Sequence, residues 1–391
     1  ISGWDTSNAT NMSYMFSGAT AFDQDLLTSG NNWNTASVTD MSHMFEGATE
    51  FDGDISNWDT SSVTNMDYMF WDAESFNQDM SGWNTANVDT MRYMFRGASA
   101  FDQDLLTNGN SWNTAGVENM AGMFFEASDF DGNISNWDTS AVTDMGSMFG
   151  GASSFNQDIG NWNTAAVTNM VGMFSGASVF DQDISTNGNS WNTALVGNMA
   201  SMFRDAIDFD QDISDWDTTE VTDMNGMFYG ATSFDQDLPT SGNSWNVEGV
   251  LDMSDMFQGA TAFNGNITSW NTYTVTDMSN MFKEATAFNQ NIGTWNTSAL
   301  ESANGMFYGA TAFDQNLQWS VGSLTSASVM FYQAGLSTAN YDAMLVNWNA
   351  QNLQSGVQFH AGSSKYCAGE VARDNLVSAG GHNWSITDGG K

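Results

Sequence analysis

The chain has 391 residues, of which 46 are acidic and 7 are basic, and its formal net charge at pH 7 is −39. A surface of that sign repels nucleic acid and anionic membranes, which are excluded as partners, and it attracts cations. No apolar run approaches the length of a membrane span, so we expect no membrane insertion. The single cysteine, Cys367, excludes an internal disulfide.

Thirteen tryptophans open copies of one phrase, W-[DN]-T-[SA]-x-V-T-[DN]-M-x-x-M-F-x-G-A-x-x-F-[DN]-Q-[DN]-[IL]. They are Trp4, Trp33, Trp58, Trp83, Trp112, Trp137, Trp162, Trp191, Trp216, Trp245, Trp270, Trp295 and Trp319. One copy is too short to bury its own apolar face, so neighbouring copies must cover each other. The sequence therefore predicts a repeat solenoid over residues 1–335, with about 13 coils. Where a repeat is four residues longer, the extra residues are rich in Gly, Asn and Ser and predict a loop.

Each coil is expected to contain one helical turn and one short parallel strand. In the third repeat, Val63, Met66 and Ala73 recur at helical spacing. Thr60 and Ser61 are suitable residues to cap the start of that turn. Residues 76–80 alternate apolar and polar side chains, which predicts the strand.

The apolar positions predict continuous columns through the stack. One methionine of each repeat, from Met15 to Met330, and its phenylalanine neighbour, from Phe16 to Phe331, recur without a gap. Thioethers beside phenylalanine are typical of adaptable core packing, which we favour over metal or haem ligation. For the tryptophans, packing at the corner of each coil is favoured over stacking against sugars.

The repeat resembles that of the BspA-like leucine-rich-repeat surface proteins of bacteria. Residues 63–83 carry the resemblance, which extends from about Trp4 to Phe331. It implies a right-handed, LRR-like stack and an exported protein, extracellular or at the cell surface, that acts in adhesion or interaction. Methionine and phenylalanine stand where the family more often has leucine and isoleucine.

Residues 336–391 follow a different pattern and predict a small α/β module that caps the last coil. We expect a helix over about 338–348, a strand near 357–360, a helix over 369–378 and a strand over 384–387. The amino-terminal coil has no comparable cap. It is predicted either to be covered by an upstream segment or to pair head-to-tail with another copy of the chain.

Two columns of Asp and Asn occupy one face of the predicted strand. Carboxylates about 4.8 Å apart repel each other, and bound Ca²⁺, raised pKa values or hydrogen-bonded Asp and Asn ladders would relieve the repulsion. A solvated acidic face is the alternative to divalent cation binding. The candidate metal ligands are Asp23, Asp25, Asp52, Asp54, Asp102, Asp104, Asp181, Asp183, Asp210, Asp212, Asp235 and Asp237.

Catalytic groups are scarce. Cys367, His360 and His382 are the nearest approach to a nucleophile with a base, and their spacing does not indicate a metal site or a Cys-His pair. We therefore predict no enzymatic activity, with an enzyme that uses the C-terminal module as a remote alternative. The predicted function is adhesion or interaction with a surface protein or glycan, and the alternative is a self-assembling subunit of a filament, sheath or surface layer.

Overall fold

The computed structural model describes residues 4–28 and 33–391. It divides into two compact units, Ile1–Leu195 and Val196–Lys391. Regular secondary structure in the described residues occurs only near the carboxyl terminus: helix α1 (Thr338–Asn349), strand β1 (Gln358–His360), helix α2 (Glu370–Val377) and strand β2 (Ser385–Thr387). No helix of these residues is long and apolar enough to cross a membrane.

The predicted helical turn and strand of each repeat are wrong for the described residues. The methionine-rich segment forms consecutive turns, and the segment predicted as the strand has no strand assignment. Two positions in each repeat adopt left-handed backbone conformation, as Tyr68 (φ 59°) and Asp72 (φ 54°) do in the third. A right-handed helix cannot continue through such residues, which explains why helical spacing did not produce a helix.

Backbone hydrogen bonds join neighbouring repeats within each unit. In the third repeat, the N–H groups of Met66, Tyr68 and Phe70 donate to carbonyl oxygens of the fourth at 3.3, 2.9 and 2.8 Å. The N–H of Met69 donates three residues back, to Met66, and that of Asp67 donates to Asn65 Oδ1 at 2.9 Å.

Parallel bridges link Asn65 to Asp40 on one side and to Thr90 on the other. The bridges between repeats thus lie at the V-T-[DN]-M segment. In the segment predicted as the strand, the N–H groups of Leu26, Leu105 and Leu238 also donate to carbonyl oxygens of the next repeat.

Met and Phe columns form the core of each unit, as predicted. From Met44 onward the methionines of the column are buried, while Met15 in the first repeat is 37% exposed. The phenylalanine rings stack on their counterparts, with ring centroids 5.5 Å apart between Phe70 and Phe95. Such offset stacks and thioether contacts add dispersion energy to the burial of apolar area.

The tryptophan side chains pack at the corners of the repeats. They are buried from Trp33 to Trp319. The indole Nε1 of Trp137, which opens the sixth repeat, donates to the carbonyl oxygen of Leu105 in the fourth repeat at 2.6 Å, and Trp58 makes the corresponding bond to Leu26 at 2.8 Å. Buried rings offer no face to a sugar, so the corner-packing prediction is confirmed for these residues.

A buried threonine column also joins the repeats, in place of the predicted helix cap. Thr60 Oγ1 donates to the Asn84 carbonyl oxygen at 2.9 Å, and Thr139 donates to that of Asn163 at 3.0 Å. Both hydroxyls satisfy a carbonyl of the next repeat, whereas that of Thr35, in the same column, has no partner among the described residues. Val247 and Val321 stand at this position in two repeats and are buried as well, so the site accommodates a valine side chain.

We expect Thr139→Val to lower the free energy of unfolding by about 1 kcal/mol, because the side chain keeps its shape and loses the hydrogen bond. The reverse change, Val247→Thr, supplies a hydroxyl at a site that lacks one and serves as the control. Urea unfolding followed by circular dichroism measures both. Equal midpoints for wild type and Thr139→Val would show that the hydroxyl column does not stabilise the stack.

The C-terminal module matches its predicted element order, and each boundary lies within about two residues of the prediction. Strands β1 and β2 pair in parallel, with Phe359 opposite Ile386. The last repeat continues into this module, since the N–H groups of Ala327 and Phe331 donate to the carbonyl oxygens of Gln358 and His360. The boundary predicted at residues 335 and 336 lies just before α1, and the division into domains there stays a prediction.

Candidate functional site

The first column of predicted metal ligands forms hydrogen bonds between repeats. Asp23 Oδ1 accepts from the backbone N–H of Asp52 at 3.1 Å, and Asp52 Oδ1 accepts from that of Asn77 at 2.9 Å. Asp102, Asp210 and Asp235 make the same bond to the next repeat. Asp181, at the same position, has contacts as well. The side chains therefore continue the pairing of the repeats beyond the backbone ladder.

The second column divides between two structural roles. Asp25, Asp104 and Asp237, each before a longer loop, accept from the backbone N–H of the next repeat at 3.0, 2.8 and 2.7 Å. Three others accept from the N–H two residues on and close a turn of their own repeat. These are Asp54, Asp183 and Asp212.

These bonds account for the aspartates in structural terms. The N–H of Ser185 and its hydroxyl hold the pKa of Asp183 below its usual value, which favours the charged form. Among residues 4–28 and 33–391, no group of three or more His, Cys, Asp or Glu side chains is placed to hold a metal ion. Calcium binding stays a prediction.

The three candidate catalytic residues of the C-terminal module are placed as follows. His360 Nδ1 accepts from the backbone N–H of Gly362 at 3.0 Å. Cys367 is exposed, and its backbone N–H donates to Asp342. The backbone N–H of His382 donates to the Asn375 carbonyl oxygen at 3.3 Å. The prediction that the chain is not an enzyme stays a prediction.

An exposed row of aromatic rings in the first unit was missed by the sequence analysis. Tyr14, His43, Tyr68 and Tyr93 occupy the first left-handed position of four successive repeats, with φ between 54° and 59°. Their rings stack in order, with centroids 4.3, 4.6 and 5.3 Å apart and interplanar angles of 7°, 9° and 16°. We call these four residues the aromatic ladder.

A second row of side chains lies beside the aromatic ladder. The guanidinium of Arg96 lies over the rings of Trp71 and Phe125, 4.6 and 5.2 Å from their centroids. Its Nη2 is 3.9 Å from Glu126 Oε2, and its Nε is buried without a hydrogen-bond partner in the described part of the chain. The three stacked groups gain cation–π energy across three repeats.

Between the two rows runs an open groove of ≈ 770 Å³, which we call the aromatic groove. It is lined by His43, Tyr68, Trp71, Tyr93, Arg96, Phe125 and Ser147. The groove reaches the fifth and sixth repeats, where Gly122 and Ser147 take the ladder position. At Gly122 the ring of Tyr93 occupies the place that a Cβ would take.

An ion pair between a buried carboxylate and a half-exposed guanidinium lies beside the ladder. Arg92, the residue before Tyr93, donates from Nε and Nη2 to Asp67 Oδ2 at 2.9 and 2.6 Å. Asp67 Oδ1 accepts from Thr90 Oγ1 at 2.6 Å and from the Arg92 N–H at 2.8 Å. The carboxylate, 5% exposed, is thus saturated with donors. Its hydrogen bonds and charge raise the pKa of Arg92, and the pair orients Tyr68 and Tyr93 as neighbours.

Two substitutions at Tyr68 separate backbone strain from ring contacts. Tyr68→Gly loses two stacking contacts but relieves a left-handed conformation, so we expect the free energy of unfolding to stay within about 1 kcal/mol of wild type. Tyr68→Ala loses the contacts and keeps the strain, so it should be about 1 kcal/mol less stable than Tyr68→Gly. Urea titration of both variants measures the difference. Equal stability of the two would show that the left-handed backbone costs nothing here.

Comparison with known protein families shows which family the chain belongs to. It matches the family described as "Mycoplasma protein of unknown function, DUF285" over residues 1–29, 27–109, 106–189, 186–242 and 239–348. The chain belongs to the DUF285 family. The tandem matches identify this DUF285 chain as a repeat protein, in agreement with the periodic sequence. None of the curated proteins matches it.

A signal for the aromatic ladder was present in the DUF285 sequence. The residue before the M-F pair is aromatic or His in the first four repeats and is Gly, Ser, Asn, Asp or Val in the others. This position reads as a variable "x" within the repeat phrase. Only its left-handed φ shows why large side chains there are unusual.

Proposed function

We propose that the chain is a non-catalytic interaction module of an extracellular or cell-surface protein, and that the aromatic groove is its contact surface for a partner protein. Trp, Tyr and Arg dominate the binding energy of protein interfaces, and the groove brings together Trp71, Tyr68, Tyr93 and Arg96. All four are at least partly accessible to solvent.

The observation that carries the proposal is the grouping of large rings at one position of the repeat. This position is left-handed in all thirteen repeats, and nine of them hold a residue other than Gly there, at a cost of about 1–2 kcal/mol each. Large rings stand at this position in the first four repeats, and Gly, Ser, Asn, Asp or Val in the others. Four successive repeats thus bring rings together beside Trp71 and Arg96.

The resemblance to BspA-like surface proteins supports the same function. In this proposal the repeats form an LRR-like solenoid, with the parallel bridges between repeats as its ladder. The aromatic groove then lies on one side of the stack, while the aspartate columns keep the rest of the surface strongly acidic. Such a charge opposes non-specific association and leaves the groove as the adhesive surface.

The experiment is an adhesion assay with the purified, fluorescently labelled chain on cells of the organism that makes it and on the surfaces those cells colonise. We expect Trp71→Ala with Tyr93→Ala to reduce adhesion at least tenfold, in line with the loss of two hot-spot residues. The matched control is Tyr308→Ala, because Tyr308 holds the position of Trp71 in its own repeat and lies beside Lys283. Equal adhesion of all three proteins would refute the groove as the contact surface.

A second candidate function, self-assembly into a filament, sheath or surface layer, is favoured by the first repeat. Trp4, Tyr14 and Met15 are 46%, 57% and 37% exposed, while the later tryptophans and methionines of these columns are buried. Exposed apolar side chains favour contact with another polypeptide segment, which in this candidate function belongs to a second copy of the chain. Sedimentation velocity over a concentration series tests this, with Met15→Lys as the variant. A sedimentation coefficient that is independent of concentration would exclude self-assembly.

Calcium remains part of the proposal through the aspartate columns. If Ca²⁺ binds only the folded chain, the melting temperature should rise with Ca²⁺ and fall on addition of a chelator. Since monovalent salt also screens the repulsion, Na⁺ at matched ionic strength is the control. An equal increase in melting temperature with Na⁺ and with Ca²⁺ would show that the aspartate columns are a solvated acidic face.

A further inference from the structure

We propose that the aromatic groove takes an extended, basic, proline-containing peptide segment of its partner protein. This inference rests on the proposed function and adds the chemistry of the occupant. Ring accessibility, groove dimensions, free hydrogen-bond donors and charge each contribute to it.

The rings of the groove present edges more than faces. His43 lies between Tyr14 and Tyr68, and Tyr68 lies between His43 and Tyr93, with all planes within 16° of their neighbours. A pyranose stacks on an open aromatic face, whereas both faces of His43 and of Tyr68 are covered by other rings. The ring of Tyr93 lies against Gly122. Ring edges and phenol hydroxyls suit the ridged surface of a proline-rich peptide, which docks in aromatic-lined grooves. The ring arrangement therefore favours a peptide over a glycan.

Arg96 has its plane covered, and the end of its guanidinium remains available to a ligand. The guanidinium is stacked between Trp71 and Phe125, which fixes its orientation. Its Nε is buried, and the distance of 3.9 Å from Nη2 to Glu126 exceeds that of a hydrogen bond, so Nη2 can donate to a ligand. A peptide in polyproline II conformation has no internal hydrogen bonds, so its carbonyl oxygens are free to accept from Arg96.

The length of the groove sets the length of the segment. The lining residues extend from His43 in the second repeat to Ser147 in the sixth. With paired segments about 4.8 Å apart, this spans roughly 20 Å. A polyproline II chain rises about 3.1 Å per residue, so about six residues fill the groove.

Charge complementarity selects a basic peptide. The residues that follow Trp71 and Phe125 are Asp72 and Glu126, both exposed and both left-handed, at a position that is Gly in eight repeats. These glycines are Gly18, Gly47, Gly97, Gly151, Gly176, Gly230, Gly259 and Gly309. Each carboxylate directly follows a lining residue, and Glu126 Oε2 lies 3.9 Å from Nη2 of Arg96, in a chain of net charge −39. Lysine or arginine side chains between the prolines would meet them and speed encounter.

The test is selection from a random peptide library displayed on phage, with the full chain as bait and a glycan array run in parallel. We expect enrichment of peptides that combine proline with lysine or arginine. Synthetic copies should bind the Trp71→Ala chain at least tenfold more weakly and the Tyr308→Ala chain unchanged. Arg96→Lys keeps the charge and loses the planar guanidinium with its Nη2 donor, and it should weaken binding severalfold. Matching melting temperatures verify that all variants are folded.

The outcomes separate this inference from the proposed function. Enrichment of acidic or proline-free peptides, or no enrichment that depends on Trp71, overturns the inference. Trp71-dependent binding on the glycan array also overturns it, while adhesion through the groove would still stand. If the adhesion assay shows no dependence on Trp71 and Tyr93 although peptides bind there, the proposed function fails and the inference about peptide chemistry holds.

Discussion

Replacing Met173 with aspartate is expected to unfold the first unit at much lower denaturant concentration than wild type. Met173 is fully buried, and its carbonyl oxygen accepts from the Phe149 N–H of the previous repeat. An unpaired carboxylate in this core costs several kcal/mol, so we expect a loss of about 4 kcal/mol or more in the free energy of unfolding.

Met173→Leu is the matched control, because it conserves volume and should cost less than about 1.5 kcal/mol. Equilibrium urea unfolding of the three proteins, followed by tryptophan fluorescence and circular dichroism, provides the comparison. If the aspartate variant unfolded at the same midpoint as the leucine variant, the methionine column would not be a dry core.

Gly132→Ala should have the next largest effect, because the added methyl group has no room. A Cβ at Gly132 would clash with the carbonyl oxygen of Gln103 and lie 2.7 Å from its carbonyl carbon. Backbone atoms of the neighbouring repeat cannot move aside as a flexible side chain can. We expect a destabilisation of about 3 kcal/mol, typical of severe overpacking.

Gly116→Ala is the control for this prediction. Its Cβ would approach no closer than 3.7 Å to the Val88 carbonyl oxygen, which is ordinary contact. It should change stability by less than about 1 kcal/mol, and the smaller entropy of the unfolded chain favours an increase. Similar stabilities for the two alanine variants would show that the repeats separate more easily than the packing indicates.

The glycine at this site accompanies a longer preceding repeat in three of four cases. Gly53, Gly132 and Gly265 take the place of the glutamine in the F-[DN]-Q-[DN] segment, each in the repeat after a four-residue insertion, while Gln211 follows the remaining insertion. All three glycines have a backbone carbonyl of the previous repeat in the space of a Cβ. At these three sites the backbones of neighbouring repeats come close, and only Gly permits the approach.

The C-terminal module and the core columns were predictable because their signals are local. The apolar periodicity of α1 buries Tyr341, Met344, Leu345 and Trp348 along one helix. The conformation within the repeat was not predictable in the same way. Spacings of three and four also arise from consecutive turns, and the left-handed residues that create these turns include Tyr, His, Ser and Asp beside Gly. Sequence propensity does not mark such residues.

The contacts of the candidate site were also not predictable from the sequence. The aspartate columns were correctly placed as periodic and polar, but their hydrogen-bond donors are backbone N–H groups of the next repeat, which no side-chain pattern reveals. The aromatic groove depends on the pairing of residues 25 to 29 positions apart on neighbouring repeats. That pairing fixes which variable positions become neighbours.

The use of a single oxygen by each aspartate has a consequence for how this protein can evolve. Asn77 Oδ1 accepts from the Asp102 N–H at 3.0 Å, and Asp52 makes the same bond at 2.9 Å with a carboxylate. An amide and a carboxylate are therefore equivalent to the fold at these positions, and each exchange of Asp for Asn removes one unit from the net charge of −39. Selection can set the charge of the surface to suit the salinity and the counter-ions of a habitat while every bond between repeats is retained.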